Sequence, residues 1–151
     1  MNQSLTAQHA ALNSIGNEVD GVCIQELYFN FNKMLRATWR WIPVYSKQHN
    51  KAHAKQTWAL TLVNRQMATS TWRRLNVKSI DMVGIAIKVD GQVIRIFNVY
   101  NDCEHSRSTQ ALDNYSSKNC PNVLYFLKND IGMKDWDYLK FWFNYIKYFA
   151  S

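Results

Sequence analysis

The sequence predicts a mixed α+β domain, and three features carry that prediction. Two β-branched runs flank Asp90-Gly91, several shorter apolar runs precede them, and one apolar stripe at helical spacing opens the chain. At 151 residues the chain has the size of one domain, long enough to bury roughly 70% of the surface its unfolded form exposes. Apolar and aromatic residues are abundant and Gly and Pro scarce, a composition that excludes general disorder.

In chain order, Leu5, Ala11, Leu12 and Ile15 follow the start at Ser4-Leu5-Thr6 and predict a short amphipathic helix, with a gap in its stripe at Gln8 and His9. Val19-Asp20-Gly21 then turns the chain into Val22-Cys23-Ile24, a run suited to a buried strand that ends near Glu26. The stretch 29–41 mixes aromatic and basic residues without a period and predicts a loop with one helical turn. Val44-Tyr45 and 58–63 are strand candidates separated by the polar stretch 46–56. Next come the two strongest runs, 83–89 and 92–100, joined by an Asp-Gly pair that is a direct hairpin signal. A helix is expected to start within 109–115. From 122 onward the aromatic and apolar residues would cover every face of a helix, so the segment has to be buried.

Lys and Arg outnumber Asp and Glu by 18 to 11, and the excess is concentrated. No carboxylate occurs between Glu26 and Asp81, whereas that stretch holds Arg36, Arg40, Arg73 and Arg74 among its ten Lys and Arg residues. Such a run raises the local potential and attracts polyanions, nucleic acid foremost. Cys23, Cys103 and Cys120 are widely spaced and form no C-x-x-C pair, which points to free thiols in a reducing compartment. The polar start lacks an apolar signal segment, and the most apolar stretch, 141–150, is interrupted by Asn144 and Lys147. A nuclear or cytoplasmic location is expected, with neither secretion nor a membrane partner.

Several local patterns occur in register. Cys23-Ile24-Gln25-Glu26-Leu27-Tyr28 ends the first predicted strand. Arg36-Ala37-Thr38 is followed by Trp41 and Val44-Tyr45, then by Leu62-Val63-Asn64 and Ser70-Thr71-Trp72. Arg95-Ile96-Phe97-Asn98-Val99-Tyr100-Asn101-Asp102-Cys103-Glu104-His105-Ser106 spans the second hairpin strand and its loop. Together with Asn2-Gln3-Ser4-Leu5, these motifs over 2–115 resemble the endonuclease/exonuclease/phosphatase superfamily, specifically the endonuclease domains that fungal retroelements carry ahead of a reverse transcriptase.

The resemblance implies the N-terminal portion of a Mg²⁺-dependent phosphodiesterase acting on DNA or RNA. It makes Glu26 and Asn2 metal ligands and Tyr100 and Asn101 contacts to the scissile phosphate, while Arg36, Arg40, Arg73 and Arg74 of the carboxylate-free run are the expected nucleic-acid contacts. It also implies a truncated four-layer β-sandwich. Residues 1–115 would form a partial domain of mainly one mixed, mostly antiparallel sheet with flanking helices, and 116–151 a divergent aromatic-rich tail. An open sheet face would need a cover, from the tail, an oligomer or a partner chain.

Departures from the family pattern are equally specific. Leu27 replaces its Pro, and Asn32-Lys33-Met34 stands where it has L-G-N. The family's later G-D-x-N and Asp-His motifs have no counterpart, since the chain contains neither a G-D nor a D-H dipeptide. Hydrolysis at one Mg²⁺ needs a hard oxygen ligand, a base that activates water and donors to the phosphate. The base is the missing part, so this chain by itself is expected to be catalytically incompetent. A competing expectation is a non-enzymatic, basic nucleic-acid-binding protein. Asp102, Cys103, Glu104 and His105 are not expected to form a metal site, because neighbouring residues on an extended chain point to opposite faces.

Overall fold

The computed structural model describes residues 5–25, 38–50, 57–101, 107–119, 123–129 and 143–146, with only the backbone described for 5, 7, 101, 119, 123–129 and 143–146. Helix α1 (Leu5–Ser14) is followed by strands β1 (Gly21–Gln25), β2 (Trp41–Val44), β3 (Ala59–Asn64), β4 (Trp72–Arg74), β5 (Met82–Val89) and β6 (Gln92–Asn101). Helix α2 (Arg107–Asn119) and strands β7 (Val123–Asn129) and β8 (Phe143–Ile146) complete the order.

Two four-stranded sheets form, in the orders β2-β3-β1-β8 and β4-β5-β6-β7. All described pairings are antiparallel except β6 with β7, which is parallel. A parallel pair needs a crossover, and α2 supplies it between β6 and β7. The expectation of mainly one sheet is thus corrected. Strands β1 and β3 are buried along their whole length, because their alternate residues serve two cores. Val22, Ile24, Leu60 and Leu62 pack with Leu12 and Ile15 of the α1 region. Cys23, Ala59 and Val63 turn the other way and share a core with Val83, Ile85 and Ile87 of β5 and Ile96 and Tyr100 of β6. The inner face that was expected to need the tail or a partner chain is therefore covered by the second sheet.

On the far side of β5 and β6, Met82, Ala86, Phe97 and Val99 pack with Leu75, Val77 and Leu112 of α2. Continuous apolar runs are the signature of strands buried on both faces. Such runs reveal double burial but not which strands pair, so by themselves they leave open whether one sheet or two forms.

Local chemistry explains the element ends. Asp90 (φ 46°) and Gly91 (φ 77°) both take left-handed backbone, the requirement of the two-residue turn whose twist matches a hairpin. Gln8, which interrupts the apolar stripe of α1, is fully buried in it. No basic residue stands in the last turn of α1, and Arg40 takes that place from across the fold. Its guanidinium donates to the carbonyls of Ile15 (2.6 Å) and Gly16, where a helix C-terminus carries partial negative charge. Strand β2 begins at Trp41, earlier than the expected Val44-Tyr45, and tolerates Pro43 because it lies at a sheet edge. Strand β4 was not foreseen. It has three residues, two of them exposed arginines, and so shows no apolar alternation, as suits a charged edge strand.

Helix α2 crosses the expected 115/116 boundary, and the segment beyond it supplies one strand to each sheet through β7 and β8. Among the described residues no helix is long and apolar enough to cross a membrane.

Candidate phosphodiester site

The two sheets are joined by polar side chains where β1 ends and β6 approaches its end. Gln25 Nε2 donates to Asn98 Oδ1 (2.9 Å) and to the Val99 carbonyl (3.0 Å). Asn98 Nδ2 in turn donates to the carbonyls of Ile24 (3.0 Å) and Leu60 (2.8 Å). Asn98 is completely buried and Gln25 nearly so. A polar group buried this deeply is tolerated only when hydrogen-bonded, so the bridge fixes the spacing and register of β1 against β6. Gln25 Oε1, however, is buried without a hydrogen-bond partner among the described residues.

Tyr100, two residues beyond Asn98 and hence on the same strand face, lies against Trp58, which immediately precedes β3. Their rings stack at 5.5 Å with planes 21° apart. The Tyr100 amide is held by the Asp81 carbonyl (2.9 Å). Beside Trp58, Thr57 Oγ1 meets His49 Nδ1 at 2.9 Å, and the His49 ring stacks on Tyr45 at 4.5 Å. His49 is therefore half-buried and engaged.

The candidate residues separate into three groups. Tyr100 and Asn101 end β6 together, with only the backbone of Asn101 described, opposite Asn129 of β7. Glu26, the next residue after Gln25, lies outside the described residues, as do Asn2, Arg36 and the loop 102–106. Arg40, Arg73 and Arg74 do not form one patch. Arg40 is occupied by the α1 carbonyls and lies over the Trp41 ring at 4.9 Å. Arg73 pairs with Ala86 and Arg74 with Ile85, so successive arginines leave the strand on opposite faces.

The residues sequence reasoning missed are Gln25 and Asn98. A signal existed for both, because each is a lone amide in an otherwise apolar, buried run, and such amides need partners.

Cys23 faces the inter-sheet core, with its Sγ 3.9 Å from Thr61 Oγ1. Burial pushes its thiol up to about 12, against a smaller opposing effect from the Thr61 contact. The folded value lies above the unfolded value of about 8.5. The stability this contributes is therefore complete below the unfolded value and is lost as pH rises toward the folded one. A thiol kept protonated is a poor nucleophile and a poor metal ligand. Alkylation of Cys23 at mildly alkaline pH, followed by peptide-resolved mass spectrometry, should be far slower in the folded chain than in denaturant. Equal rates would mean that the thiol is accessible.

The described side-chain oxygen at the end of β1 is the Gln25 amide, a ligand type suited to a hard cation such as Mg²⁺ rather than to a thiophilic metal. Among the described residues no three His, Cys, Asp or Glu side chains converge as a metal site. No protein-family model, no curated protein and no solved structure matches this chain.

Proposed function

We propose that this chain is a nucleic-acid-binding domain built as the four-layer sandwich of the endonuclease/exonuclease/phosphatase superfamily. Glu26 and Asn2 hold Mg²⁺, and Tyr100 and Asn101 receive a phosphodiester of DNA or RNA. The observation that carries the proposal is the Gln25–Asn98 bridge. It holds the end of β1, which leads into Glu26, beside the strand that ends in Tyr100 and Asn101.

Bound Mg²⁺ would supply charge neutralisation at the phosphate. The chain's own residues provide the remainder: the Tyr100 ring, backed by Trp58, sets one wall, and the buried amides keep the rim rigid. The chain has neither the G-D-x-N nor the Asp-His motif. Its role in this proposal is accordingly to bind rather than to turn over substrate by itself. A metal-independent nucleic-acid binder is the second reading, favoured by the carboxylate-free run between Glu26 and Asp81.

Titration with Mg²⁺, followed by Trp fluorescence, tests the choice. Trp58 lies on Tyr100 and contributes a local signal. Glu26→Gln keeps the side-chain shape and removes the charge, and should weaken Mg²⁺ binding by at least about tenfold, given that even outer-shell losses cost that much. Identical affinity in the variant, or no Mg²⁺ response in either protein, would refute the metal assignment. Nucleic-acid affinity that Mg²⁺ does not raise and Glu26→Gln does not lower would establish the second reading.

A further inference from the structure

The outer face of the second sheet carries a basic feature away from the Gln25–Asn98 bridge. Along α2, Arg107, Gln110, Asn114 and Lys118 follow helical spacing down one side. Facing them across an open groove of about 540 Å³ are Asn76 and Lys78, and no carboxylate is among the described lining residues. The cations Arg107 and Lys118 stand near opposite ends of the helix, about 16 Å apart along its axis at 1.5 Å per residue, with Lys78 on the other wall. All three are exposed.

The charge continues past the groove. Arg73 pairs with Ala86, and Ala86 pairs with Arg95. Directly paired residues share a face, and Ala86 belongs to the α2 side of the sheet. Helix α2 ends at Asn119, and β7 begins opposite Arg95 only four residues later. The Lys118 end of the groove therefore lies toward the Arg95 end of the sheet. A groove of this length, with cations at both ends and amides between them, suits a chain of regularly spaced anions better than a single small one.

We infer that this α2 groove is a second nucleic-acid contact, which takes the phosphodiester backbone without reading bases. The inference rests on the nucleic-acid reading of the chain but not on the metal site. Its ligand is a DNA or RNA backbone, because amides and guanidinium donors along an uncharged-to-basic wall match phosphate oxygens.

The test uses the full chain in EDTA, with a short fluorescein-labelled DNA duplex followed by anisotropy at several salt concentrations. The triple variant Lys78→Gln/Arg107→Gln/Lys118→Gln should lower the slope of log Kd against log salt by about 3, near 1 for each lost phosphate contact. A control of equal charge change, Lys47→Gln/Arg65→Gln/Lys88→Gln, uses exposed residues outside the groove and should change the slope by less than half as much. Equal losses in the two variants would overturn the inference, since net charge alone would then explain binding. So would competition by polyglutamate as effective as that by unlabelled duplex, which would assign the groove to an acidic protein. Both variants change surface positions, and matching thermal melts establish that each is folded. A Glu26→Gln chain that binds duplex normally in EDTA refutes neither the groove nor its slope, so failure of the metal site and failure of the groove are separately visible.

Discussion

Asn98→Leu is expected to destabilise the protein by on the order of 4 kcal/mol, because each buried group left without its partner costs about 1–3 kcal/mol. The substitution keeps the approximate size of the side chain but removes two donations, to the Ile24 and Leu60 carbonyls, and one acceptance, from Gln25. Both strands that end at the bridge are affected at once, and a loss of this size is a large share of the roughly 5–15 kcal/mol that holds a domain folded. Gln25→Met should cost less. Gln25 Oε1 is already without a partner among the described residues, and only the Nε2 contacts are lost. Combining the two changes removes donor and acceptor together, so the double variant should be more stable than the sum of the single losses predicts, by at least about 1 kcal/mol. Urea unfolding of the four proteins measures this directly. Strict additivity would mean that the two amides hold nothing in common.

Phe97→Ala should cost about 3–5 kcal/mol, the range for emptying a fully buried aromatic site. Phe97 has no exposed surface. It meets Tyr115 of α2 edge-on at 5.3 Å, and a Cβ added at Gly84 would come within 3.0 Å of its ring. The site is thus packed tightly on both sides. Loss of the ring removes the main aromatic contact beneath α2, so amide exchange in α2 should accelerate more than exchange in β1 and β3, which belong to other cores. A second consequence has a sign of its own. In the parent protein Gly84→Ala is unfavourable because the new methyl also meets Leu75 Cβ at 3.1 Å. With Phe97 removed, the ring contact is relieved while the Leu75 contact stays, so the cost of the same methyl should fall without vanishing. Uniform exchange across the molecule, or a Phe97→Ala cost below about 1 kcal/mol, would show that α2 is held by other contacts. The α2 groove depends on that docking, so a chain with α2 released should also bind duplex DNA with a shallower salt dependence.

What the sequence by itself determined was local. Asp90-Gly91 specifies the hairpin turn because left-handed backbone at two successive positions is a property of those residue types. The apolar spacing of Leu5, Leu12 and Ile15 specifies α1, and β-branched runs specify β1, β3, β5 and β6, because helix and strand periods are set by short-range sterics. Even the motif ending in Tyr100 and Asn101 falls on a strand end, as the sequence suggested. Tertiary structure decided the rest. Whether one sheet or two would form, that Gln25 would meet Asn98 across 73 positions of chain, that Arg40 would cap α1 and that Arg73 and Arg74 would part company are outcomes of pairing between distant segments. Each strand carries the same two-sided apolar signal whatever its partner, so the choice among partners is made only when whole faces pack and every buried amide has to find a donor or an acceptor.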